Sequence, residues 1–319
     1  MRILAMLAAF VGGASMAVQG RINGELGVRF ENGYAAALVS FGGGLIVLIA
    51  IAATIPRSRR GFGRLVTALR TGDIPWWHLV AGVIGGWFVI AQGLTIGVLG
   101  VAAFTIGTVA GQTISALVVD RIGFGVLPAR RVTLNRLAGA AIAIVAVSLT
   151  VVVGSTRIGG EMWLLLLPFI GGSLQPLQQA ILGSMQRKTQ DVVTPSLANF
   201  ALGTAVIALV CVVVFAGGTG IRELPTEWWL YSGGLIGAVF IAVAAVVVQK
   251  LGTLLMSLLL ISGQVIAALV LDLVLPAEGQ EVTAWSFVSA GLTLVAVIVS
   301  SWRRFRRSAP APAEATTRV

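Results

Sequence analysis

Ten stretches of mainly apolar residues divide this chain: 3–22, 33–55, 76–98, 100–119, 133–153, 162–183, 193–216, 228–249, 252–272 and 284–302. A helix needs about 20 such residues to cross a hydrocarbon core about 30 Å thick. Only 11% of the 319 residues are charged and the mean hydropathy is +0.97. A soluble domain carries about 25% charged residues, so this chain is expected to take lipid as its solvent. The third and fourth runs are joined by a tight turn at Leu99-Gly100, the eighth and ninth by one at Lys250-Leu251. Trp76, Trp77, Trp163, Trp228, Trp229, Trp285 and Trp302 mark run ends, where amphipathic rings meet the headgroups. The first run holds Gly12, Gly13, Gln19 and Arg21 and lacks a clear cleavage pattern. It is read as a mature helix and not as a signal peptide.

Ten spans place both termini on one side. That side collects 18 of the 22 lysines and arginines, and the other has only Arg21, Arg29, Arg157 and Arg222. The asymmetry puts both termini in the cytoplasm. It also accounts for the net charge of +10 without a nucleic acid partner. Arg57–Arg70 interleaves basic and apolar residues and is expected to lie on the cytoplasmic leaflet. Residues 303–319 are expected to form a basic, disordered cytoplasmic tail.

The chain also repeats itself. Gly111-Gln-Thr-Ile-Ser-Ala-Leu-Val-Val-Asp120 and Gly263-Gln-Val-Ile-Ala-Ala-Leu-Val-Leu-Asp272 share seven of ten residues at an offset of 152. The same offset pairs Trp76-Trp77 with Trp228-Trp229 and Leu99-Gly100 with Leu251-Gly252. Nearer the start of each half, an offset of 159 pairs Phe10, Gly12, Gly13, Gln19, Phe41 and Gly44 with Phe169, Gly171, Gly172, Gln178, Phe200 and Gly203. Five spans per half is an odd number, so the second half enters the membrane from the opposite face. The expected fold is an all-α membrane protein of ten transmembrane helices in two inverted five-helix repeats, 1–154 and 155–302. Inverted repeats recur in secondary transporters, where related halves exchange conformations around a site at their interface.

Gly13, Gln19-Gly20-Arg21-Ile22-Asn23-Gly24, Leu26-Gly27, Ser40-Phe41, Gly44 and the Gly-Gln…Leu-x-x-Asp box resemble the YdcZ-type branch of the drug/metabolite transporter superfamily. The resemblance covers residues 5–300 and implies a fused, ten-helix transporter of the bacterial inner membrane, often suggested to be an exporter. The second half departs from the motif, with Leu182 in place of Asn23 and Gln179 in place of Gly20. A site built on Asn23 would therefore be asymmetric.

Polar groups inside a bilayer are costly and tend to face the bundle interior or a wet cavity. The substrate-binding candidates are Gln19, Asn23, Trp87, Gln92, Thr108, Gln112, Gln175, Gln178 and Gln264. Thr105, Thr108, Gln112 and Ser115 follow a helical stripe, and Trp87-Phe88 offers a face to a flat or cationic solute. The first, third, fourth, sixth, eighth and ninth helices are expected to line the site, with the fifth and tenth peripheral. Glu25, Asp120 and Asp272 are candidates for coupling or for anchoring helix ends. Each polar candidate also has a plain reading, because a glutamine in a membrane helix often only bonds its neighbour, at about 0.6 kcal/mol. Small multidrug transporters of the superfamily carry a glutamate deep in the first helix, and this chain has none at comparable depth.

No His-Glu-x-x-His, Gly-x-Ser-x-Gly or phosphate-binding loop is present, so neither an enzyme nor an ATP-driven pump is expected. Cofactor and metal are expected to be none. The partners are a small-molecule solute and membrane lipid. The sequence leaves the oligomeric state open, and a monomer is possible because both repeats are in one chain. The function that follows is secondary transport, in the export direction, of a small organic solute by alternating access. The alternative is a structural or lipid-handling membrane subunit.

Overall fold

The computed structural model describes residues 2–122, 133–276 and 282–308, and all regular structure among them is helical. The helices are α1 (Arg2–Phe30), α2 (Gly33–Thr54), α3 (Pro56–Thr71), α4 (Val80–Ile122), α5 (Leu134–Ile158), α6 (Leu166–Thr189), α7 (Val193–Ala216), α8 (Gly233–Val274) and α9 (Ala284–Ser308). Helix α1 runs past the apolar stretch that predicts it. Arg21 and Arg29 each bond Glu25 from one turn away, at 3.4 and 3.1 Å, and carry the helix on to Phe30. Asn32 then starts α2, its Oδ1 accepting the N–H of Ala35 at 3.0 Å, as N-cap residues do. Helix α9 continues through Arg303 to Ser308, the first part of the expected tail; the rest of the tail lies outside the described residues.

Helices α4 and α8 are each two spans. In α4 the break is Gly100, at φ 79° and ψ 168°, a conformation open to glycine and strained for other residues. The Phe88 and Phe104 ring centroids are 5.5 Å apart, whereas sixteen residues of straight helix would separate them by ~24 Å. The run therefore folds back at the predicted turn. For α8, a Cβ on Gly12 of α1 would lie 3.4 Å from both Phe240 and Leu260. Twenty residues of straight helix span ~30 Å, so α8 folds back between them as well.

The halves pack reciprocally. A Cβ on Gly13 would strike the carbonyl of Leu260, and one on Gly172 that of Thr108. Gly263 stands on Phe10 as Gly111 stands on Phe169, and Gly237 on Gln19 as Gly85 on Gln178. Every one of these pairs maps onto its counterpart by the two sequence offsets. At the centre Phe41 stacks on its equivalent Phe200, centroids 4.6 Å apart, with Gly44 against Phe200 and Gly203 against Phe41. That crossed pattern makes α2 and α7 antiparallel, so the pseudo-two-fold axis is perpendicular to the helices and the repeats are inverted. The small residues serve close helix approach. Helices α5 and α9 pack on each other through Gly139, Ala143 and Ala296 and turn Leu137, Ile144, Phe287 and Ile298 outward, a peripheral position.

Helix α3 does not cross. It buries Ser58, Gly61, Leu65 and Ala68 and exposes Arg59, Arg60, Phe62 and Arg70. Its inner face docks on the turn between α6 and α7, through Arg57, Ser58 and Arg64. The amphipathic pattern predicts a surface helix, and the protein surface it rests on includes this turn.

Candidate functional site

The polar candidates fall into three groups along the repeat interface. In the first, Asn23 Nδ2 of α1 donates to Gln92 Oε1 of α4 at 2.8 Å, both residues being buried. Gly20 and Gly24 make this contact possible, since a Cβ on either would press Ile96 at 3.0 and 2.6 Å. Asn23 Oδ1 and Ser40 Oγ converge on Gly233, and Gln19 lies over Gly237 one turn further along α8. Neither Asn23 Oδ1 nor Ser40 Oγ has a hydrogen-bond partner among the described residues.

The second group is the symmetry equivalent of Gln19 and Ser40. Gln178 Nε2 donates to Asn199 Oδ1 and to the carbonyl of Ala81, each at 3.0 Å. In the third, Gln112 Nε2 of α4 donates to Gln175 Oε1 of α6. Thr108 lies one turn from Gln112 and is fully buried. Its Oγ1 and that of Thr105 have no partner among the described residues. Gln264, the repeat equivalent of Gln112, is buried, whereas Gln112 is half-buried. Trp87 is half-buried and donates Nε1–H to the carbonyl of Leu167 at 3.3 Å. Phe88 is taken up by the core against Phe104.

The acidic candidates separate. Glu25 is engaged by Arg21 and Arg29. Asp272 is buried, and its two oxygens accept the N–H groups of Val101 and Ala102 at 2.9 and 2.7 Å. It caps the second arm of α4, whose first N–H groups have no partner within the helix. That is an anchoring geometry. The Asp120 side chain lies outside the described residues. Ser40 is the member that polarity alone misses, because a single serine in an apolar run carries little signal. Its repeat equivalence to Asn199, at the offset of 159, is what could have found it.

Inverted halves, glycine-mediated crossings and polar pairs at the repeat interface define a polytopic inverted-repeat membrane protein. The family described as "Putative inner membrane exporter, YdcZ" matches residues 4–149 and 163–299. The chain belongs to this family, an inner-membrane exporter family of the drug/metabolite transporter type. A solved structure titled only "Crystal structure of protein" is 18% identical. It superposes with a TM-score of 0.53 over 96% of this chain and 98% of its own; that likeness bears on the fold alone. No curated protein matches.

Proposed function

We propose that this chain exports a small organic solute as a secondary transporter, by alternating access between its two halves, with both termini in the cytoplasm. The halves, 1–154 and 155–302, are the moving units in this reading. One observation carries it: the backbone of the repeat interface is symmetric, while three of its polar groups, Asn23, Gln92 and Gln175, have no polar equivalent in the other half. Asn23 and Gln92 correspond to Leu182 and Ala244, and Gln112 and Gln175 to Gln264 and Met16. Leu182, Ala244 and Met16 stand at the positions equivalent to Asn23, Gln92 and Gln175, so apolar residues suffice for packing there and these three polar members serve something besides packing. The free atoms of the site's polar groups, among the described residues, are a carbonyl oxygen and hydroxyls, each costing about 1–3 kcal/mol when left unpaired in a dry interior. A solute carrying N–H or O–H donors would satisfy them.

Counterflow in proteoliposomes tests the proposal. Solutes that raise the unfolding temperature of the purified protein are loaded inside, and uptake of the labelled solute is followed. Uptake above that of protein-free liposomes, reduced by Asn23→Leu, is expected. A structural or lipid-handling subunit would give no exchange with any stabilising solute.

A further inference from the structure

Two contacts join the repeats at opposite faces of the bundle, and they are equivalents. Glu31 follows α1 at φ 49° and Gln190 follows α6 at φ 53°, and the offset of 159 maps one onto the other. The next residues, Asn32 and Asp191, each cap the helix that follows, accepting the N–H of Ala35 at 3.0 Å and of Thr194 at 2.9 Å. Each of these turns is held from the other repeat, the first by Arg222 and the second by Arg57 and Arg64. Arg222 Nη1 bonds Glu31 Oε1 at 2.6 Å, its backbone N–H bonds the carbonyl of Phe30 at 3.2 Å, and Arg29 pairs with Glu227 at 3.4 Å. At the other end Arg57 gives two bonds to the carbonyl of Gln190, at 3.0 and 2.9 Å. Arg64 bonds the carbonyl of Thr189 at 2.8 Å and Gln190 Oε1 at 3.1 Å. Helix α2 separates the two contacts by its full length of 22 residues, or ~33 Å.

The two grips differ in kind. The Arg222–Glu31 side chains are 75% and 58% exposed, so water and salt screen the pair. At the α3 end Arg57 and Gln190 are exposed as well, but the arginines there hold neutral carbonyls at the end of α6, where unpaired acceptors and the negative end of the helix dipole meet, and a buried layer lies below. Beneath them Ser58 donates to Asp191 at 3.3 Å, and the Thr194 hydroxyl, which donates to Asp191 Oδ2 at 2.7 Å, also reaches the carbonyl of Ser58 at 3.4 Å. Ser58, Asp191 and Thr194 are all buried.

We infer that these contacts are the two gates of the transport cycle. Arg57, Ser58 and Arg64 on the α6–α7 turn form the tight gate, and Arg222 on Glu31 forms the loose one. The inference rests on the alternating-access reading. The protein rests closed at the α3 face, which is cytoplasmic in the orientation proposed above, and opens first at the Glu31 face. Salt loosens the Glu31 gate and leaves the α3 gate shut.

Spin-label distances across each gate test this in the full chain, in lipid nanodiscs, with Cys211 replaced by Ser. One label pair stands at Thr67 and Lys188, the other at Val28 and Thr226, all exposed positions on opposite repeats. The Thr67–Lys188 pair is expected to show one short distance at low and high salt. The Val28–Thr226 pair is expected to show a long-distance fraction that grows with salt. Replacing both Arg57 and Arg64 by Ala should raise the open-to-closed ratio at Thr67–Lys188 about tenfold, since charge-assisted bonds to helix-end carbonyls are lost. Arg222→Ala should leave that ratio unchanged. If the double variant does not fold, Arg57→Lys, which keeps the charge and loses the fork, should give a smaller rise in the same direction. An open α3 face in the parent, or an unchanged distribution in a folded arginine variant, would overturn the assignment. The distances are read without solute, so the two proposals fail separately. Gates that respond as expected without counterflow of any solute would sink transport alone, and counterflow with unresponsive gates would sink the gate assignment alone.

Discussion

Asp272, near the end of α8 in the second repeat, holds the N–H of Ala102 at 2.7 Å and so caps a helix of the first repeat. The neighbouring N–H of Val101 takes its other oxygen at 2.9 Å. The sharp turn at Gly100 strips these two N–H groups of helical partners, and the carboxylate from the facing repeat replaces them. The Gly-Gln…Asp box thus has its last member on a turn of the opposite half. The contact ties the two halves together where α4 folds back.

Asp272→Asn should therefore act on stability. An amide offers one acceptor where the carboxylate offers two, and its NH2 would confront a backbone N–H. The loss of a cap is worth about 0.5–2 kcal/mol, and the buried N–H left over adds to it. Thermal unfolding in detergent should show a fall of several degrees, with the affinity for a stabilising solute retained by the fraction still folded. An unchanged unfolding temperature with lost affinity would move Asp272 from anchor to site.

The reciprocal glycines predict matched effects in sequence-distant places. A Cβ at Gly13 or at Gly172 would overlap a carbonyl oxygen of the facing helix, while one at Gly42 would meet nothing within 4 Å. Gly13→Ala and Gly172→Ala should each lower stability by a similar amount, because each must push apart one of two equivalent crossings. Gly42→Ala should raise it by up to about 1 kcal/mol, the helix-propensity gain. Unfolding midpoints of the three variants measure this directly.

Sidedness follows from charge. The segment with five arginines lies on α3, and Thr67 there and Thr226 at the other face are both exposed. In intact cells an impermeant thiol reagent should label a cysteine at Thr226 and should reach one at Thr67 only after permeabilisation. The native Cys211 is buried and gives little background. The reverse pattern would invert the protein in its membrane.

The number of apolar runs, the turn at Leu99-Gly100 and the repeat were legible in the sequence because each rests on local rules. Twenty apolar residues cross a bilayer, Leu99-Gly100 is too short to be anything but a turn, and an odd repeat must invert. The pairing of polar groups was not legible, because it depends on which helix faces which. Nothing local says that Gln112 meets Gln175, that Asn23 meets Gln92, or that Asp272 caps the turn after Gly100. The role of Arg57 and Arg64 was hidden for the same reason. Their spacing reports an amphipathic helix, while the carbonyls they hold lie 125 or more residues away.

Gln112→Leu separates a site residue from a packing residue most cleanly. Among the described residues its side-chain partner is Gln175, and a hydrogen bond within a membrane protein contributes about 0.6 kcal/mol on average and at most about 1.7. The variant should therefore fold, insert and unfold within a few degrees of the parent. Binding is less forgiving, because a solute group left unpaired in a dry interface costs about 1–3 kcal/mol, or roughly ten- to a hundredfold in affinity. Gln175→Leu should behave alike. The double variant should be no worse in affinity than the worse single one if the two amides bind the solute as a unit, since residues in contact are not additive. Counterflow and thermal unfolding of the four proteins decide it. If affinity survives in all three variants while stability falls, the pair is a clasp between α4 and α6, and the solute is held by the group around Asn23, Gln92 and Ser40.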